Sequence, residues 1–282
     1  MSPVNARAAD ADADSRLSAE PGGESCQFRV MPGTSRLAVA LLLVVLSGCG
    51  RLIPNTVPPS GYTPYAPAPN PGPSVYVAPE AGVIDQPIDS ETLGRVQRAT
   101  QTLAQCEAEL EAARVTFSPT PDRVNSETCG LTAAGVLGPD MGTTARMAPS
   151  DVTMTCTLAA AVSVWRRQSV EPAARELLGS DVVEIDHMGV YACRGVRTDA
   201  GSTSRASAHS RAAALDFSGV RLRDGRRITV AGDWASGTPE SRFLHRIRDE
   251  GCRIFGTVLS PDYNAVHHDH LHLEAESGRL CR

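Results

Sequence analysis

The chain has 282 residues, a formal net charge of −5 at pH 7, 41% hydrophobic residues and 4% aromatic residues. This length admits one or two domains, and the apolar content is enough to bury a core. The mildly acidic balance and the absence of a basic run argue against a nucleic-acid partner.

Residues 1–30 read as a polar, low-complexity lead that includes an alternating Ala-Asp run, a poor start for an export signal. Met31 reads as a better start than Met1. It is followed by Arg36, an apolar stretch from Leu37 to Leu46, and Leu46-Ser47-Gly48-Cys49. An apolar run of that length fits the core of a signal peptide and is too short for a membrane span. The expected signal peptide is therefore 31–49. Leu-Ser-Gly-Cys resembles a bacterial lipoprotein cleavage site, which would make Cys49 the lipidated first residue. With Gly50 and Arg51 following, the expected address is the periplasmic side of the outer membrane.

Residues 50–89 read as a disordered, Pro-rich linker, since ten of the 20 prolines lie between Pro54 and Pro87. Such a segment stays extended and buries no core, and ~40 residues of it could hold a domain up to ~100 Å from an anchor. The folded part is expected over 90–282. Leu93, Val96, Ala99, Leu103, Cys106 and Leu110 mark an amphipathic helix starting near Ser90. Further helices are expected over 150–167, from Glu171 to Gly179, and over 240–250 with Gly251 as the stop. Strands are expected over 182–193, 213–222, 227–230, 253–259 and 271–275, with Asp224-Gly225 as a hairpin turn. Helices first and a mainly antiparallel sheet after them make an α+β class with flanking helices.

Outside Cys26 and Cys49, six cysteines remain: Cys106, Cys129, Cys156, Cys193, Cys252 and Cys281. An even number in an oxidising compartment points to disulfides, and spacing leaves about 15 pairings open. No Cys-x-x-Cys occurs, which weighs against a cysteine-zinc site.

Two stretches carry the chemistry. Of seven histidines, His267, His268, His270 and His272 fall within six positions, and Ser207-x-His209 with Asp216 lies upstream. On a strand, His270, His272 and Glu274 share one face while Leu271 and Leu273 turn to the core. A catalytic zinc takes three protein ligands, with His nitrogen and Asp oxygen among its preferred donors, and keeps one open position. His209, Asp216 and His272 would supply that set.

These motifs carry a resemblance. Ser207-x-His209-x-x-Ala212-x-Ala214-x-Asp216 and His267-x-Asp269-His270-x-His272 resemble the two metal motifs of the zinc D-Ala-D-Ala carboxypeptidases and murein endopeptidases, which share the hedgehog/DD-peptidase fold. Ala212 departs from them, standing where those peptidases usually have Gly. The closer similarity is to the extensin-like C-terminal domain family. It is echoed by Gly189-Val190-Tyr191-Ala192-Cys193-Arg194, Phe255-Gly256-Thr257 through Asn264, and Asp269-His270-Leu271-His272-Leu273, and covers about residues 100–282.

The peptidase resemblance implies that His270 serves as the acid/base nearest the metal water, with Asp269 orienting an imidazole. It implies that Arg194 binds a carboxylate or an oxyanion. His267 and Ser207 are expected at the substrate or around the metal ligands. The expected function is membrane-anchored, zinc-dependent hydrolysis of cell-wall (murein) peptides, with a peptidoglycan peptide and the membrane as partners. The alternative is a catalytically silent, metal-containing wall-binding or structural lipoprotein. Oligomeric state is not legible.

Overall fold

The computed structural model describes residues 81–276 and 278–282. The expected lead, signal peptide and Cys49, and the linker up to residue 80, lie outside the described residues. Core packing begins before Ser90, within the stretch expected to be linker: Val83 and Ile84 are 5% and 0% exposed and join the main core.

The elements in chain order are α1 (Thr92–Ala99), α2 (Leu103–Ala112), β1 (Val115–Pro119), β2 (Arg123–Val124), β3 (Gly130–Leu131), β4 (Ala134–Asp140), β5 (Arg146–Ala148), β6 (Val152–Thr155), α3 (Cys156–Trp165) and α4 (Glu171–Leu178). They continue with β7 (Val182–Gly189), β8 (Gly195–Thr198), β9 (Gly201–Ala206), β10 (Ala214–Leu222), β11 (Arg227–Thr229), α5 (Val230–Asp233), α6 (Pro239–Gly251), β12 (Thr257–Leu259), β13 (Leu271–Glu274) and β14 (Leu280–Cys281). The result is a mixed α+β domain. Its main sheet has the order β14-β12-β13-β10-β7-β5, with β11 also paired to β10. A second sheet has the order β1-β4-β6. Most pairings are antiparallel, while β5 with β7 and β12 with β14 are parallel.

Several boundaries differ from expectation for local reasons. The single helix expected from residue 90 is two helices, because Thr102 starts a new one. Its hydroxyl accepts from Gln105 N and the Gln105 side chain returns to Thr102 N, a reciprocal capping box. The helix expected from Ser150 begins only at Cys156, because Val152–Thr155 pairs with β4 as strand β6. From Cys156 the helix runs on through a wider turn at Arg166–Val170 into α4. Pro172 sits just after that turn; lacking an N–H, it cannot close the regular ladder, and the wider turn absorbs the fault. Gly179 ends the helix at φ 67, as its position suggested.

Helix α3 is buried almost all round, which makes it the core helix rather than a surface one. At its end Trp165 meets Phe217 edge-on at 5.1 Å and Phe255 at 6.2 Å, and its Nε1 donates to Ile247 O at 2.9 Å. This ties α3 to strand β10 and to α6, so the strand that carries Asp216 rests on the buried core helix. No helix among the described residues is long and apolar enough to cross a membrane.

All six expected cysteines pair: Cys106–Cys156, Cys129–Cys193 and Cys252–Cys281. The first ties α2 to the start of α3. The second ties the β2–β3 region to the loop after β7. The third ties the end of α6 to β14.

Candidate metal centre

Strand β10 places Asp216 directly across from His272 on β13, in register. Alternation then sends Leu215, Phe217, Leu271 and Leu273 into the core and leaves Asp216, His272 and Glu274 on the opposite face. His209 comes from a short helical turn, Ala208–Arg211, just before β10. Ser207 caps that turn: its hydroxyl accepts from His209 N at 3.3 Å, and Ser207 is 4% exposed. Ser207 thus lies beneath His209 as a support.

Ala212 closes the turn at φ 53, ψ 33. This is the left-handed conformation that glycine adopts most readily. Holding alanine there costs roughly 1–2 kcal/mol. Ala212 is fully buried, so glycine would lose a packed methyl, about 0.8 kcal/mol, and would add about 0.5–1 kcal/mol of chain entropy. Ala212→Gly is therefore expected to leave stability within about 1 kcal/mol of wild type, while the β-branched Ala212→Val is expected to destabilise by more than about 2 kcal/mol. Thermal unfolding of the two variants checks both.

The three ligand atoms converge. Asp216 Oδ1 is 3.0 Å from His209 Nε2 and 3.0 Å from His272 Nδ1, and the two nitrogens are 3.1 Å apart. Donors around a tetrahedral zinc at about 2.0–2.1 Å stand about 3.3 Å from one another, so the triangle is already close to that size. The tautomers agree with this. His209 Nδ1 lies 2.7 Å from the Val190 carbonyl, which only accepts, so Nδ1 carries the proton. In neutral His209 the Nε2 lone pair therefore faces the Asp216 oxygen, an arrangement that asks for a cation between them. The three residues form a group suited to a metal ion, with His209 and His272 buried and Asp216 nearly so.

The electrostatics follow from the same contacts. Burial disfavours the Asp216 charge, but His209 and His272, when protonated, donate to it and hold its carboxyl far below the usual range. Burial likewise disfavours protonated His272, but Asp216 and Glu274 outweigh it and raise the imidazole to about 9. His267 moves the other way, to about 4, through burial first and then the neighbouring His270 and His272.

The remaining sequence candidates gather round this triangle to different degrees. His270 Nε2 is 3.6 Å from Asp216 Oδ1, and its Nδ1 is 2.9 Å from Asp269 Oδ1. His267 stacks between Tyr263, at 5.8 Å, and His270, at 5.1 Å, with Nδ1 2.6 Å from Asn264 Oδ1. Arg194 is half-buried on the loop after β7, feels the Asp216 charge, and donates to Gly195 O at 3.3 Å. His268 is exposed. His245 stands apart, packed on Trp234 at 4.0 Å, and is half-buried. The Val190 carbonyl was invisible to sequence reasoning, because a backbone acceptor has no residue-type signal.

The fold and this cluster define a disulfide-bonded α+β domain with a His/Asp/His group suited to a metal ion. Residues 104–282 match the family model described as Extensin-like protein C-terminus, and the chain belongs to that family. No curated protein and no solved structure matched the chain.

Proposed function

We propose that this chain is an exported, lipid-anchored zinc peptidase that hydrolyses amide bonds in murein peptides. The observation that carries the reading is the convergence of His209 Nε2, Asp216 Oδ1 and His272 Nδ1 on one point, with the His270–Asp269 pair beside it. Zinc held there supplies Lewis acidity toward a scissile carbonyl and a bound water of pKa near 7.

The chain's own residues do the rest. Asp269 accepts the His270 Nδ1 proton, so His270 Nε2 presents a lone pair toward the metal face. His270 takes the attacking water's proton there and returns it to the leaving amine. His267 is neutral at pH 7 and, with Nδ1 engaged by Asn264, offers Nε2 as an acceptor to a substrate N–H. Arg194 offers a planar cation for a substrate carboxylate or a developing oxyanion.

Other features support the setting. Three disulfides suit an oxidising compartment. The Leu46–Cys49 motif suits a lipid anchor, and the Pro-rich stretch after it suits a tether reaching the wall. The two motifs' likeness to murein peptidases supports the substrate class.

His270→Asn is expected to keep zinc and to lose about 10²–10⁴-fold in turnover, read as peptide release from purified sacculi. Unchanged release would remove His270 from the mechanism. A zinc-loaded wild type that binds sacculi and releases nothing would leave the wall-binding alternative standing.

A further inference from the structure

His272 faces the donor triangle through Nδ1, so its other ring nitrogen points away. The group it meets there is the Glu274 carboxylate, with Nε2 to Oε2 3.6 Å apart. The two side chains stand on one face of β13, two residues apart. His209 has a comparable arrangement, with the Val190 carbonyl behind its distal nitrogen. One imidazole is thus backed by a backbone dipole and the other by a full charge.

Glu274 has little else to do. Its side chain is 22% exposed, and its strand neighbours in register are Thr257 and Ala214, neither of them charged. The nearby Arg211 is taken by Glu276, with Nε to Oε1 at 2.8 Å. At 3.6 Å the contact with His272 is electrostatic rather than a formed hydrogen bond, and a charge acts at that range without an ideal angle.

We infer that Glu274 is a positioning residue of the metal centre, orienting His272 and strengthening it as a ligand without touching the ion. A carboxylate behind a ligating imidazole fixes the tautomer, with the proton on Nε2, and makes Nδ1 a better donor. The inference rests on the metal reading of the triad.

The test is zinc affinity of the oxidised domain by chelator competition, for wild type, Glu274→Ala and Glu274→Gln, beside the melting temperature of each metal-free form. Glu274→Ala is expected to bind zinc about 10–100-fold more weakly. Glu274→Gln keeps the shape but not the charge and is expected to fall between. Both metal-free variants are expected to melt close to wild type, which a merely structural glutamate would not allow. Wild-type affinity in both variants overturns the inference alone and leaves the proposed peptidase untouched. A loss of affinity matched by a drop in metal-free melting temperature in both variants also overturns it. A wild type that takes up no zinc overturns this inference and the proposed function together.

Discussion

His209→Ala and Asp216→Ala are each expected to yield a folded, oxidised domain that no longer retains zinc, while wild type holds about one zinc per chain. Zinc sites with a full set of protein ligands bind with apparent free energies of about 10–16 kcal/mol, so each donor carries roughly 3 kcal/mol or more. Losing one of three should weaken binding at least ~100-fold. Peptide release should fall to background in both variants, because the remaining two donors neither hold the ion nor leave a defined open position. The fold should survive. The turn that carries buried His209 is also held by the Ser207 cap and by its own backbone hydrogen bonds, and Asp216 points away from the core that Leu215 and Phe217 occupy on the same strand. The check is metal content after dialysis at low free zinc, beside circular dichroism. Stoichiometric zinc retained by His209→Ala would sink the triad as the site. An empty wild type after zinc is supplied would shift the function to binding or structure.

The second large effect concerns stability and lies away from the metal. Asp140 at the end of β4 accepts from Arg166 Nη2 at 3.1 Å and also pairs with Arg167, and the Asp140 and Arg166 side chains are each 1% exposed. Burial pulls the Arg166 guanidinium down to about 10, with the Asp140 charge opposing that fall. Removing Asp140 leaves the buried Arg166 charge without its direct counter-ion, while Arg167 keeps Asp85 at 2.7 Å. Asp140→Ala is therefore expected to destabilise by about 3–5 kcal/mol, lowering the melting temperature by about 6–20 °C. The double variant Asp140→Ala, Arg166→Met should recover much of this, since it removes the stranded charge and keeps the volume. A melting shift under about 2 °C for Asp140→Ala would show that solvent reaches Arg166 in the folded state.

The sequence was most legible where periodicity and motif agreed. Strands β10, β11 and β13, helix α6 and the Asp224-Gly225 turn fall within a residue or two of expectation, because each alternates or repeats cleanly and carries its own stop signal. The sheet β1-β4-β6 was missed. Strand β4 reads Ala-Gly-Val-Leu-Gly-Pro-Asp, with two glycines and a proline that ordinarily argue against a strand. Gly135 there is required by packing, since a Cβ would come within 2.5 Å of Ser118 O. The β8–β9 hairpin was also missed, because its residues are mostly exposed and lack the apolar alternation that marks a strand. At the site, the residue types that ligate metals stood out in the sequence. The sequence placed Glu274 on the face of His272 but gave it no role toward that residue, because only the rotamer of His272 reveals which nitrogen faces outward.

The pairing of β10 with β13 has one more consequence. Two of the three donors stand opposite each other on directly paired strands. A slip of one residue between those strands would turn Asp216 or His272 toward the core and bring a leucine or a phenylalanine to the open face. Only chains paired in the native register can therefore hold the ion. A metal ion held there would act as a check on assembly, because it would stabilise the correct pairing by mass action and give nothing to the slipped ones.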